Sequence, residues 1–191
     1  MSNCGCHSTE MIERKVLIVA LVLNLTMFFV GLIAGILAES ISLLADSFDM
    51  LADASAYTIG LFAIGRSLRF KKGAARLSGS LLFLLGCGVL IEVVYRGWLG
   101  SYPESYTMII VAMVSLMVNT YVLQKLSQFR QGEAHLRASW MFTRADIIVN
   151  MGVVCSGILV ALTNSRYPDL IVGFIVGLYV IKEAVNILRD N

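Results

Sequence analysis

Asp46-Ser47-Phe48-Asp49-Met50-Leu51-Ala52-Asp53 sets three carboxylates inside an otherwise apolar run from Ser42 to Ile64. At 100° per residue, Asp49 and Asp53 stand about 40° apart on a helix, one turn above each other, with Asp46 about 60° to one side. All three therefore share a face. The run is long enough to span a bilayer, where a charged side chain costs on the order of 2.5–3.5 kcal/mol on insertion scales. Three such groups need a cation, protons or basic partners to compensate them. Structural carboxylates paired with basic side chains are the plain alternative; a functional ion site is the reading that intramembrane acids favour.

The rest of the chain agrees with a membrane setting. Of 191 residues, 58% are hydrophobic and only 15% charged, well below the ~25% charged of an ordinary soluble domain. Apolar spans are expected at about 16–38, 42–64, 77–95, 105–124, 138–162 and 169–188, giving an all-α, polytopic protein of six transmembrane helices. Met1 to Arg14 is polar and runs directly into an apolar stretch too long for a cleavable signal, so the first helix is expected to remain as a span. Residues 1–15 then form a leader, and 16–191 the membrane domain.

Net charge, +2, is uninformative, but the placement of the basic residues is not. Twelve of the fifteen lie on one set of termini and loops: Arg14, Lys15, Arg66, Arg69, Lys71, Lys72, Arg76, Lys125, Arg130, Arg137, Lys182 and Arg189. Arg96 and Arg166 fall on the other side. Basic residues stay cytoplasmic, so both termini are expected inside a cell (inner) membrane, with 39–41, 96–104 and 163–168 facing outward. The basic 65–76 stretch is expected as a loop against anionic lipid; it does not imply nucleic-acid binding.

Cys4, Cys6 and His7 bring two thiols and an imidazole within four residues, a soft-ligand cluster suited to zinc, cadmium or copper-like ions, or simply a polar tail. Cys87 and Cys155 lie inside spans, and no disulfide framework is implied. Asn24 is the one strongly polar residue of the first span and needs a hydrogen-bonding neighbour or water. Gly31 with Gly35, and Gly173 with Gly177, are small-xxx-small pairs that let helices approach. Glu92 and Arg96 have the i, i+4 order of a helical ion pair, next to an aromatic belt of Trp98, Tyr102 and Tyr106. Asn119 reads as an interhelical hydrogen-bonder.

A second polar cluster, Thr143-Arg144-Ala145-Asp146-Ile147-Ile148-Val149-Asn150, repeats the i, i+4 spacing of Asp49 and Asp53 at Asp146 and Asn150. Four oxygen donors from two facing helices can surround one cation. Arg144 lies some 200° round the helix from Asp146; it is expected to pair with an acid of a neighbouring helix, Asp46 being the candidate.

Together these residues resemble the cation diffusion facilitator family, dimeric six-helix transporters of divalent transition metals that exchange metal for protons. The resemblance rests on Asn24, Phe28, Gly35, Ser40, Leu43, Leu44, Ala45, Asp46, Asp49 and Asp53 in the first two spans. Arg137, Ala138, Asp146, Gly152 and Val153 carry it in the fifth, and Asp169 in the sixth. It implies a metal site at Asp49, Asp53 and Asp146, a homodimer in lipid, and no prosthetic group beyond the transported ion and protons; Asp46, Asn24 and Arg144 are expected in support. Where the family has a His or Asp one turn before Asp146, this chain has Phe142, so Asn150 is expected to supply the fourth donor through its amide oxygen. The expectation is a member without the family's C-terminal cytoplasmic domain.

The expected activity is efflux of Zn or Cd, with Co, Mn or Fe as alternatives, by metal/proton antiport. The rivals are a non-transporting metal sensor or accessory subunit and a Mg-dependent membrane phosphatidyltransferase. The second lacks its Asp-Gly-x-x-Ala-Arg signature here, since Asp53 is followed by Ala54 and Ser55.

Overall fold

A computed structural model describes residues 3–63, 68–128 and 134–189; the side chains of 3–10, 62–63, 68–72, 74–75, 78, 134–139, 141 and 142 lie outside that description. Six helices follow one another: α1 (Asn3–Leu37), α2 (Ile41–Ala63), α3 (Leu68–Leu99), α4 (Ser105–Ser127), α5 (Ala134–Thr163) and α6 (Tyr167–Arg189). Six helices are found as expected, the largest differences of boundary lying at two N-termini. The leader is helical from Asn3, continuous with α1, and the stretch expected as a basic loop is already α3 from Leu68 onward. Lys and Arg are good helix formers, so a charged stretch prolongs a helix beyond the apolar run that a hydropathy reading detects.

Among the described residues, five segments are long and apolar enough to cross a bilayer: Met11–Leu37, Gly79–Leu99, Ser105–Ser127, Thr143–Thr163 and Tyr167–Arg189. The exception is α2, which carries the three acids, and it is the helix that touches all five others. Lipid cannot solvate carboxylates, so the helix that bears them takes the middle of the bundle. The polarity of the molecule is inverted accordingly. Leu37, Ile33, Ile36, Leu84, Ile91 and Trp98 are exposed, whereas Asn24, Ser115, Asn119, Thr143 and Asn150 are buried.

Close helix approach is made at the expected small residues. A Cβ at Gly31 would lie 3.1 Å from that of Ser47, and one at Gly35 3.0 Å from Leu44. On α6, Gly173 is pressed against Ile41 and Gly177 against Val89. Both pairs thus seat a neighbouring helix against bare backbone.

The three short connections 38–40, 100–104 and 164–166 lie at one end of the bundle, here called the connection end. Each helix that arrives there stops on a left-handed residue: Glu39 (φ 50°), Gly100 (φ 100°) and Asn164 (φ 49°). At Glu39 the Ser40 amide reaches back to the Gly35 carbonyl at 3.0 Å, which satisfies a helix-terminal acceptor. Glu104 caps α4 by accepting from the Thr107 amide at 3.1 Å, and its own amide donates to the Ala38 carbonyl at 2.9 Å.

The start of α2 is held by a residue from the far end of the sequence. The fully buried Asp169 carboxylate accepts from the Ile41 amide (2.8 Å), the Ser42 amide (3.0 Å), Ser40 Oγ (2.7 Å) and Ser42 Oγ (2.6 Å). Ser40 Oγ also accepts from the Leu43 amide at 3.2 Å. Amides at a helix N-terminus have no partner within their own helix and carry partial positive charge. One carboxylate therefore satisfies four donors and ties α6 to α2.

Removing that carboxylate strands buried donors, which is expensive where no water replaces it. Asp169→Ala is expected to lower unfolding free energy in detergent micelles by on the order of 3 kcal/mol. Glu92→Gln, which breaks the 2.7 Å pair with Arg96 at a side chain 40% exposed, should cost less than about 1 kcal/mol. Denaturant titration of the two variants beside wild type measures both.

Candidate metal centre

The acids are brought together by the register of two antiparallel helices. Along α2, Asp46, Asp49, Asp53 and Tyr57 descend one face; along α5, Asn150, Asp146 and Thr143 rise to meet them. Asn150 Nδ2 donates to Asp46 Oδ1 at 2.5 Å. One turn further on, the Asp146 carboxyl is in side-chain contact with those of Asp49 and Asp53. At the last rung the Tyr57 hydroxyl lies 2.7 Å from Thr143 Oγ1 and donates to Asp53 Oδ2 at 3.2 Å. The i, i+3/i+4 spacing on each helix makes such a ladder possible, because each rung advances one turn.

All four acids are buried, the most accessible being Asp53 at 6%. Among the described residues no Lys, Arg or His forms an ion pair with any of them. The alternative of structural carboxylates neutralised by basic partners therefore finds no support in these contacts. Three carboxyls meeting in a low-dielectric interior repel one another strongly if all are ionised. A proton or a cation relieves that repulsion, and either can be exchanged. Among the described residues, no three Asp, Glu, His or Cys side chains already form a ready ligand cage; Asp49, Asp53 and Asp146 converge without enclosing a point.

Two expected roles are corrected. Asn150 does not turn its amide to the carboxylate trio. Its nitrogen goes to Asp46, and its oxygen accepts from Asn119 Nδ2 of α4 at 3.0 Å. It bridges α2 to α4, one rung from the trio. The pairing of Arg144 with Asp46 is also absent. Asp46 is met by Asn150 and by Ser115 of α4, while Arg144 is exposed and its guanidinium sits 5.9 Å from the centre of the Trp140 ring. The 200° separation from Asp146 sends Arg144 to the outside of the bundle, too far round to reach Asp46.

Asn24 is fully buried, and its Nδ2 donates to the Ala20 carbonyl of its own helix at 3.0 Å rather than to a neighbour. Asn119 makes the interhelical bond expected of it. The side chains of Cys4, Cys6, His7 and Phe142 lie outside the described residues. Cys155 is exposed and free, away from the acids.

Several residues of the site were not singled out from the sequence. Tyr57 continues the acidic stripe at i+4 from Asp53 and could have been found by extending that spacing one turn. Ser115 and Thr143 are too common in membrane helices to stand out. On α6, Tyr179 and half-buried Glu183 lie within electrostatic reach of the same acids. Ala52 of α2 and Ala184 of α6 share one buried cluster with Leu82 of α3, and no periodicity within α6 could have shown which partner it would meet.

Comparison with known proteins follows the same lines. Residues 17–191 match the family described as the cation efflux transmembrane domain. The chain is 26% identical over 195 residues to the metal cation efflux system protein CzcD of Cupriavidus metallidurans, covering 94% of this chain and 60% of that one. It is 25% identical over 199 residues to the zinc transporter ZitB of Pectobacterium atrosepticum, covering 97% and 62%. With the mouse proton-coupled zinc antiporter SLC30A2 it shares 26% identity over 205 residues, covering 93% and 55%. The chain thus spans about three fifths of the length of these relatives. With the match running from the first helix through the last, the chain belongs to the cation efflux transmembrane-domain family.

Proposed function

We propose that this protein moves a divalent metal cation across the membrane, binding it at Asp49, Asp53 and Asp146. The observation that carries the reading is the meeting of three buried carboxyls from two helices, with no basic side chain among the described residues paired to them. A structural role would leave that repulsion unrelieved, whereas a doubly charged cargo relieves it while bound. The cargo is Zn or Cd, with Co, Mn and Fe as competitors favoured by an all-oxygen donor set. The names of the relatives support the first choice, two being zinc transporters and one a metal cation efflux protein.

Direction and coupling follow from charge. Both termini lie in the cytoplasm of a cell membrane, given the one-sided distribution of Lys and Arg, and the ion leaves that side. A carboxylate must lose its proton to bind metal, so binding releases protons and protonation expels the ion. Metal/proton antiport needs no further group than the acids themselves. The working unit is a homodimer held through transmembrane helices.

In this scheme Asp46 and Asn150 set the register of α2 against α5 and α4, while Tyr57 and Thr143 orient Asp53. These residues position the carboxylates and do not touch the ion.

Reconstituted wild type is expected to show Zn- or Cd-dependent proton flux in proteoliposomes, and Asp49→Ala, Asp53→Ala and Asp146→Ala together to abolish it; flux retained by that triple variant overturns the site. In weakly buffered detergent solution, adding metal should acidify the medium, and apparent affinity should weaken progressively as pH falls, because the ligands are acids. An affinity independent of pH between 5 and 8 would contradict binding through carboxylates. Asn150→Leu should destabilise the protein by on the order of 2 kcal/mol through its stranded partners while changing metal affinity less than tenfold. A loss of affinity matching that of Asp146→Ala would return Asn150 to the ligand set.

A further inference from the structure

The buried side-chain atoms that lack any hydrogen-bond partner sort by depth and by sign. Among the described residues they are Asn24 Oδ1, Arg96 Nη1, Ser101 Oγ, Asn119 Oδ1, Asp146 Oδ2, Ser156 Oγ and Arg166 Nε. Those of Arg96, Ser101, Ser156 and Arg166 belong toward the connection end, and each has a hydrogen to give. The other three, on α1, α4 and α5, are two amide oxygens, which only accept, and a carboxyl oxygen, which accepts when ionised.

The helix contacts put these three oxygens within about one helical turn of one another along the bundle. Gly31 of α1 meets Ser47 of α2, and the two helices run antiparallel. Moving two turns down from that contact, about 10.5 Å at 1.5 Å per residue, reaches Asn24 on α1 and Ala54, the neighbour of Asp53, on α2. On α4, Asn119 Nδ2 lies 3.8 Å from Met50 Sδ and 3.0 Å from Asn150 Oδ1, between the rungs of the α2/α5 ladder. Leu17 and Ala20 of α1 share a cluster with Val122 and Leu126 of α4, with Val118 packed against it. One turn beyond Ala20 is Asn24, and one turn back from Val122 is Asn119.

The amide orientations are set by their partners. Asn24 gives its nitrogen to the Ala20 carbonyl, which turns Oδ1 off its own helix. Asp46 needs a donor from Asn150, so Asn150 presents oxygen to Asn119, and Asn119 must use its nitrogen there. Its oxygen is left facing elsewhere. Both asparagines are 0% exposed. A buried unsatisfied acceptor costs about 1–3 kcal/mol, and three acceptors within about a turn of one another call for positive charge rather than for a better fold.

We propose that the oxygen ends of Asn24 and Asn119, with the free oxygen of Asp146, form part of the surface that binds the transported divalent cation. This rests on the transport reading and extends the site beyond α2 and α5 to α1 and α4. The three aspartates supply charge, and the two amides supply neutral oxygen that needs no deprotonation. The amides strengthen binding without adding to the protons exchanged, and they leave the ion less tightly held than five carboxylates would.

The test uses the full chain in detergent, with Zn²⁺ and Cd²⁺ as probes in calorimetric titrations and thermal unfolding run alongside. Asn24→Leu has nearly the same shape but no orphan oxygen. If the oxygen serves the ion, this variant binds at least tenfold more weakly while its thermal midpoint is unchanged or higher. Asn24→Asp restores an oxygen and adds an acid, so it retains binding and its affinity falls more steeply with falling pH. Asn24→Leu and Asn24→Asp both binding within twofold of wild type, with unaltered pH dependence, overturns the inference; should Asn24→Leu fail to fold, the pH dependence of Asn24→Asp decides alone. Asp49→Ala separates the two ideas: if it loses binding and the Asn24 variants do not, the inference falls and the carboxylate site stands. A wild type that binds neither metal overturns both.

Discussion

The structure depends on giving α2 a place where its carboxylates are out of lipid, and the Asp169 carboxylate is what secures that place. It binds two backbone amides and two serine hydroxyls at the first turn of α2, so the last helix of the chain fixes the position of the second. Without it, the amides that begin α2 would be buried with no acceptor. Gly173, one turn along α6, brings the helices close enough for the contact by pressing bare backbone against Ile41. A charge, a serine pair and a glycine act as one joint.

From that joint the polar interior follows by register. Four residues of α2 and three of α5 meet rung by rung, and α4 closes one side through Ser115 and Asn119. The rungs differ in what they can exchange. Tyr57 with Thr143 and Asp46 with Asn150 are satisfied pairs that hold geometry. Between them, three acids face one another, and among the described residues nothing of opposite charge pairs with them. Burial makes the outer pairs rigid and makes the middle an unrelieved electrostatic demand.

Much of this was legible in the sequence because it depends on one helix at a time. The six helices, the shared face of Asp49 and Asp53, the glycine pairs and the Glu92 to Arg96 bridge follow from spacing along a single element. What depended on how two elements meet was not legible. Asn150 has the same spacing from Asp146 as Asp53 from Asp49, yet its amide is claimed by Asp46 and Asn119. Asp169 entered through the family resemblance, and its partners 127 to 129 residues away could not be seen from its own neighbourhood. Arg144 was assigned an acid because a charge in a span needs a partner; its long side chain reached the outside over Trp140 instead.

The connection end has a mechanical implication. There, Glu39 accepts from the Tyr102 amide at 3.2 Å, the Glu104 amide donates to Ala38, and Arg166 donates to the Gly97 carbonyl at 3.2 Å, so neighbouring turns are laced together across the bundle. A laced end behaves as a fulcrum. Tilting one helix by about 5° about it shifts a point ~30 Å away, the length of twenty helical residues, by roughly 2.6 Å, and a point halfway by half as much. Leverage of that size, applied at mid-depth, is comparable to the margin between grasping a small ion and letting it go.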